Sequence, residues 1–363
     1  MKSKPSIYLL LCLSLFCLCS YGQEIEGVQY ANVKDEYTVE PAANQGFDFF
    51  ASDELLQMTL SFNIKEFLKT KNKPEYLDAN LTVHLSETDS LSQHIKVKAR
   101  GYMRRSYCAF PPIMMKFKGS GSDSARIYGK GTLKLVTHCN ATANFKGNVL
   151  KEYLAYRLYN QVTPYSFKTR LVKITYVDVN KPDKAFEAYG FLIENEDKMA
   201  ERNHAVLIKA MNATQKDMGP IDMARIAVFN YMIGNTDWSV PYQHNIKIMK
   251  SLGNPSEKPI PVAYDFDYSG LVNAVYAVPF EELPIKEVTE RYYLGVCNQD
   301  EQLNKVIDEF TGLKDKFLGT VRDFEYLSRS DRKYVEYYLN SYYNSYNYKN
   351  YLISDLNRTC KRF

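Results

Sequence analysis

The sequence predicts an α+β chain in two lobes, sheet-rich first and mostly helical second. Between residues 57 and 118, short segments alternate apolar and polar residues with the two-residue period of half-buried strands. After Thr137 the period becomes helical, and the later apolar stretches are helix-length, broken by one small hairpin. A third observation bears on organisation: the cysteines outside the first 22 residues are Cys108, Cys139, Cys297 and Cys360, an even set.

Composition narrows the class. The 363 residues carry 46 basic and 42 acidic side chains, a net charge of +4, too balanced to imply a nucleic-acid binder. With 24% charged and 45% hydrophobic residues, collagen-like, low-complexity and wholly disordered chains are excluded. Beyond the first twenty residues no apolar run approaches the roughly 20 residues that a transmembrane helix needs. Residues 1–22 read as a cleaved signal peptide. Lys2 and Lys4 give a basic start, Tyr8 to Cys19 an apolar core, and Ser20-Tyr21-Gly22 small residues at the −3 and −1 positions. Lipidation at Cys17 or Cys19 is the lesser alternative, because Phe16 and Leu18 are bulky where a lipobox needs a small residue. The expected location is secreted or periplasmic, and disulfides are expected there. Four cysteines allow three connectivities, of which sequence proximity favours Cys108–Cys139 and Cys297–Cys360.

The elements follow in order. Residues 23–55 are an irregular lead-in, 56–195 the first lobe and 196–363 the second. Met58, Leu60, Phe62 and Ile64 mark a first strand; Leu81, Val83 and Leu85 mark a second, and Ile95 and Val97 a third. Pro111-Pro112 opens a fourth over 113–118, and four such neighbours predict an antiparallel sheet. Gly119-Ser120-Gly121-Ser122 lacks the G-K-[ST] ending of a phosphate-binding loop and reads as a surface turn. Val149 to Leu158 forms a helix stopped by Thr163-Pro164, and strands follow over 170–177 and 186–194. Pro220 to Ile233 is a helix with proline at its start and Gly234 at its end. Strands at 245–249 and 259–263 make the hairpin. Asn298 caps an amphipathic helix running through Leu303, Ile307, Phe310 and Phe317, and the tyrosine-striped segment 332–352 closes the chain.

The chemistry concentrates after Gly234. The helix delivers Asp237 into a loop, and the hairpin presents Asn245 at the start of one strand and Asp265, with Asp267, past the end of the next. A carboxylate to orient a hydroxyl, with Asn and Asp to hold a divalent cation on phosphates, is the set that phosphoryl transfer uses. Arg100, Arg104 and Arg105 form a basic cluster that reads equally as a phosphate grip or a solvated strand end.

The order of these pieces over residues 95–270 resembles the CotH-type spore-coat protein kinases. Arg100-Gly101 resembles that family's Arg-Gly-Asn element, and Met114-Met115-Lys116-Phe117 its lysine-bearing strand. Leu133-Lys134-Leu135 with the Glu152 helix, and Tyr189 to Glu194, resemble the segments that follow. The resemblance implies a two-lobed, atypical kinase-like fold, magnesium or manganese as cofactor, ATP as donor and a protein acceptor. It implies that Lys116 contacts phosphate with Glu152 as its ion-pair partner, with Arg100 and Glu194 in the same phosphate-binding set. Asp237 becomes the acceptor-orienting base, while Asn245, Asp265 and Asp267 hold metal. Two departures stand out. Asn245 lies eight residues after Asp237, where the kinase loop D-x-x-x-x-N has five, and Tyr102 replaces the Asn of Arg-Gly-Asn.

The expected function is therefore an exported kinase acting on a protein hydroxyl. The alternative is a degenerate relative that binds a nucleotide, glycan or protein without turnover. Plain structural roles compete at each residue: Lys116 on the wet face of a strand, Glu152 as a helix-surface charge, Asp237 capping a turn, and His138 and His244 as structural histidines. No G-x-S-x-G or H-E-x-x-H pattern occurs, which disfavours a serine hydrolase of that type and a zincin.

Overall fold

Strands β1 (Leu56–Phe62), β2 (Leu77–His84), β3 (Ser90–Ala99), β4 (Ile113–Phe117), β5 (Gly131–Val136), β6 (Thr169–Asp178) and β7 (Lys181–Ile193) close into a barrel in the order β1-β2-β3-β4-β5-β7-β6. A computed structural model gives this arrangement and describes residues 46–118, 127, 131–210, 212–254, 256–297, 300–346 and 349–360. The expected signal peptide, most of the expected lead-in, the expected 119–122 turn and the expected Asn298 cap lie outside these residues.

The barrel corrects the expected two-lobed, kinase-like fold with an antiparallel N-terminal sheet. β1 pairs antiparallel with β2, and its other side pairs parallel with β6, Leu56 to Phe62 running beside Val172 to Asp178. That one parallel seam makes the sheet mixed and removes both edges. Alternation could not reveal it, because the inward face of a closed barrel has the same two-residue period as the buried face of an open sheet. Met58, Leu60, Phe62, Val97, Met115, Leu133, Val172 and Ile174 are buried together inside.

Nine α-helices accompany the barrel among the described residues: α1 (Ile64–Lys69), α2 (Met103–Tyr107), α3 (Ala143–Val162), α4 (Glu196–Arg202), α5 (Pro220–Ile233), α6 (Asp300–Gly312), α7 (Lys314–Arg322), α8 (Arg329–Tyr346) and α9 (Lys349–Thr359). A second, antiparallel sheet has the order β10-β9-β8, from β8 (Ala205–Leu207), β9 (Ile246–Ser251) and β10 (Ile260–Ala263). Helices α3 and α5, this small sheet and the C-terminal helices share a second apolar cluster that includes Leu154, Tyr159, Phe229, Phe266, Phe310 and Leu339. The long amphipathic pattern expected over 298–317 breaks into α6 and α7 after Gly312.

Two disulfides join Cys108 to Cys139 and Cys297 to Cys360, with Cα–Cα distances of 4.7 and 5.1 Å, the pairing that sequence proximity favours. No helix among the described residues is long and apolar enough to cross a membrane. The disulfides fit an oxidising compartment.

Candidate functional site

Helix α5 ends where its sequence requires. Gly234 is left-handed at φ 65°, and its N–H caps the carbonyls of Asn230 and Tyr231. A Cβ on Gly234 would stand 2.1 Å from the Tyr338 hydroxyl, so glycine is required by packing as well as by φ. The next turn is set by side chains: Asn235 donates to Asn230 Oδ1 at 2.9 Å and accepts the Asp237 N–H at 3.0 Å. A bridge between Ser239 and His244, with both N–H···O bonds at 2.9 Å, folds the intervening residues into a closed loop. The three residues by which the Asp237–Asn245 spacing exceeds the kinase pattern are taken up in this loop. Gln243 and Asn245 pay for the tight return with left-handed φ of 47° and 52°.

The loop returns its end to its beginning. His244 Nε2 lies 2.6 Å from Asp237 Oδ1, and Asn245 Nδ2 donates to Asp237 Oδ2 at 3.0 Å and to its carbonyl at 2.8 Å. Burial raises the Asp237 carboxyl above the ordinary aspartate range, with His244 pulling the other way. Across the hairpin, Tyr264 N–H donates to the Asn245 carbonyl at 3.1 Å, and Asp265 N–H donates to the Tyr156 hydroxyl of α3 at 2.8 Å. Asp265 is left-handed, φ 62°, and its carboxylate has no hydrogen bond or ion pair among the described residues. Burial first, then the Asp267 charge, pushes it up to about 6.

Asp267 is engaged. Its Oδ2 accepts from Arg104 Nε at 2.9 Å and from the Tyr276 hydroxyl at 2.8 Å. The other arm of Arg104, Nη2, donates to Oε2 of Glu152, which is fully buried on α3. Burial lifts the Glu152 carboxyl and Arg104 holds it back, while Arg104 itself is kept firmly charged by its two carboxylates.

Asp237, Asn245, Asp265, Asp267 and Glu152 therefore form one cluster linked by hydrogen bonds and by charge, and the remaining candidates sort around it. Arg100 follows β3, and its charge acts on Asp265. Lys116 does not reach Glu152. It stands on the exposed outer face of β4, 5.3 Å from the Tyr76 ring, between inward Met115 and Phe117. Glu194 is structural: it accepts the Lys168 N–H at 2.9 Å and both arms of Arg202 at 3.1 and 2.9 Å. Arg104, a possible phosphate grip in the sequence, is instead spent on carboxylates.

The cation that sequence reasoning did not single out is Lys134 on β5. Its ammonium lies 5.8 Å from the Tyr264 ring and 3.8 Å from Glu196. Burial, then Arg100, lowers its pKa, and the Asp265 charge acts on it as well. The signal was present: in Leu133-Lys134-Leu135 both leucines point into the barrel, which turns Lys134 outward beneath Tyr264.

No three His, Cys, Asp or Glu side chains among the described residues stand close enough together to hold a metal by themselves. Magnesium needs less from protein, commonly one or two carboxylates with phosphate and water completing the shell. Asp265 and Asn245 fit that demand: Asp265 is unpartnered, and Asn245, by turning its nitrogen to Asp237, leaves its amide oxygen for another ligand. Comparison with the models of known protein families, and with curated proteins by sequence, finds no match to this chain.

Proposed function

We propose that this chain is an exported phosphotransferase of CotH-like chemistry, moving the γ-phosphoryl of ATP to a protein hydroxyl at the Asp237–Asp265 cluster. One observation carries the reading: Asp265 is a half-buried carboxylate with no hydrogen-bond or ion-pair partner among the described residues, and it shares its charge environment with Asp267 and Asp237 and with three cations, Arg104, Arg100 and Lys134. A site with negative and positive walls suits a polyphosphate that brings its own divalent cation. The support comes from these residues, since the barrel departs from the layout that the resemblance implies.

In this reading Asp265 and the Asn245 oxygen hold the cation, which would neutralise charge on the phosphates. Arg100 and Lys134 face the phosphates, and Lys134 takes the place expected for Lys116. Asp237 orients the acceptor hydroxyl and receives its proton. His244 and Asn245 hold both of its oxygens in one orientation, so the carboxylate pays little to reorganise as the hydroxyl approaches.

The same observation also favours a second reading. Both Asp237 oxygens already carry partners, as they would in a degenerate relative that binds nucleotide without turnover. Label transfer from γ-labelled ATP with manganese, onto a mixture of exported proteins, separates the two. Wild type is expected to transfer label, and Asp237→Ala and Asp265→Ala each to lose at least a hundredfold. Nucleotide binding without transfer in the wild type would establish the degenerate reading instead.

A further inference from the structure

We infer that Arg104 is the positioning residue of this carboxylate cluster, and that the Cys108–Cys139 disulfide holds it in place. The inference deepens the phosphotransfer reading and rests on it for the kinetic part alone. Arg104 lies on α2, a helix of five residues whose N-cap makes no side-chain bond. One turn of helix does not hold itself in water. Two things outside it do. At its C-terminal end Cys108 N–H bonds the Arg104 carbonyl at 2.9 Å, and the Cys108 sulfur is tied to Cys139 just beyond β5. Cys139 is itself fixed by the Phe110 N–H on its carbonyl at 2.8 Å, and the Cys108 carbonyl accepts from Lys71 at 3.0 Å.

The second support is the ion-pair fork. Arg104 is 8% exposed and spans two carboxylates from distant parts of the chain, Glu152 on α3 and Asp267 past β10, the latter 163 residues away. Tyr276 closes the arrangement by donating to the same Asp267 oxygen. Without the guanidinium, two buried carboxylates would face each other beside Asp265, an arrangement that does not persist with both ionised. Asp267 stands two residues from Asp265 and its carboxylate is fixed by Arg104 and Tyr276, so the fork places a charge that acts on the unpartnered carboxylate. The hydrogen-bonding partners of the Arg104 side chain are Asp267, Tyr276 and Glu152. It acts through Asp267 and Glu152. A lysine supplies the charge but not the fork, since its ammonium is a point charge on a flexible stem.

Hydrogen–deuterium exchange and steady-state kinetics on the full chain test this, using Arg104→Met, Arg104→Lys and the double variant Cys108→Ser/Cys139→Ser. In Arg104→Met, exchange is expected to rise at least tenfold both in 103–107 and in 265–268. The double cysteine variant is expected to show the same two-site pattern. A purely local role would loosen α2 and leave 265–268 as protected as in wild type, and that result overturns the inference. Kinetically, kcat should fall at least a hundredfold in Arg104→Met, with KM for ATP within threefold. Arg104→Lys, which covers a failure of the methionine variant to fold, should stay folded and recover less than a tenth of wild-type kcat. Full kcat in Arg104→Lys overturns the fork. If the wild type transfers no label while the two-site exchange pattern holds, the phosphotransfer reading fails and the positioning role stands.

Discussion

Asp265 shows in one side chain what the carboxylate cluster costs the fold. Its carboxyl is raised to about 6, against about 3.9 in an unfolded chain, so above pH 6 the folded protein bears the penalty of a charge it would rather not hold. The folded pKa lies above the unfolded one; stability therefore increases as pH falls through 6 and levels off below about 4, where both states are protonated. Two pKa units correspond to about 3 kcal/mol at most. Asp265→Asn is accordingly expected to stabilise the metal-free protein by about 1–3 kcal/mol at pH 8, with the gain vanishing near pH 4, as urea unfolding at the two pH values would report. Equal stability at pH 8 would mean that the carboxylate is solvated. Asp237, Asn245, Asp265 and Asp267 were legible as a group because a helix end and a hairpin bring them to one mouth by local geometry. Lys116 and Glu152 were not legible as a pair or as strangers: which cation meets Glu152 depends on the face each strand turns outward and on a helix, α2, too short to leave a periodic signature.

At the scale of elements, the α5 terminus decides where Asp237 stands. The sequence places α5 at Pro220–Ile233, because proline at the start and glycine at the end are local signals read without tertiary context. Within the tyrosine stripe of α8, Tyr334, Tyr338 and Tyr342 pack against the core while Tyr337 is exposed, and the packed part is specific in its chemistry. Tyr338 donates to the Thr289 carbonyl at 2.9 Å and fills the space left by the missing side chains of Gly234 and Gly270. Gly234→Ala meets both a left-handed φ and this hydroxyl, and is expected to cost about 2–4 kcal/mol. Tyr338→Phe in the same chain should return part of that loss, measured as non-additivity in a double-mutant cycle. Strict additivity would place the whole cost in the backbone. The β1–β6 seam was the least legible feature. Its partners are more than a hundred residues apart, and nothing in either strand marks the pairing as parallel.

For the whole molecule, the barrel and the helical part meet at the cluster, with Lys134 supplied by β5, Arg100 by the position that follows β3, and Asp237, Asn245, Asp265 and Asp267 by the second sheet and its loops. The α+β, two-lobed kinase-like layout read from the sequence gives way to a closed mixed barrel accompanied by helices. What supports phosphotransfer is a charge arrangement, so the direct test is one of charge. Titration of the protein with ATP and manganese by calorimetry, comparing Lys134→Met, Lys116→Met and Asp265→Asn with the wild type, bears on the central claim. The account expects Lys134→Met and Asp265→Asn to weaken binding at least tenfold and Lys116→Met to bind as the wild type does. Binding lost in Lys116→Met and retained in the other two would contradict it.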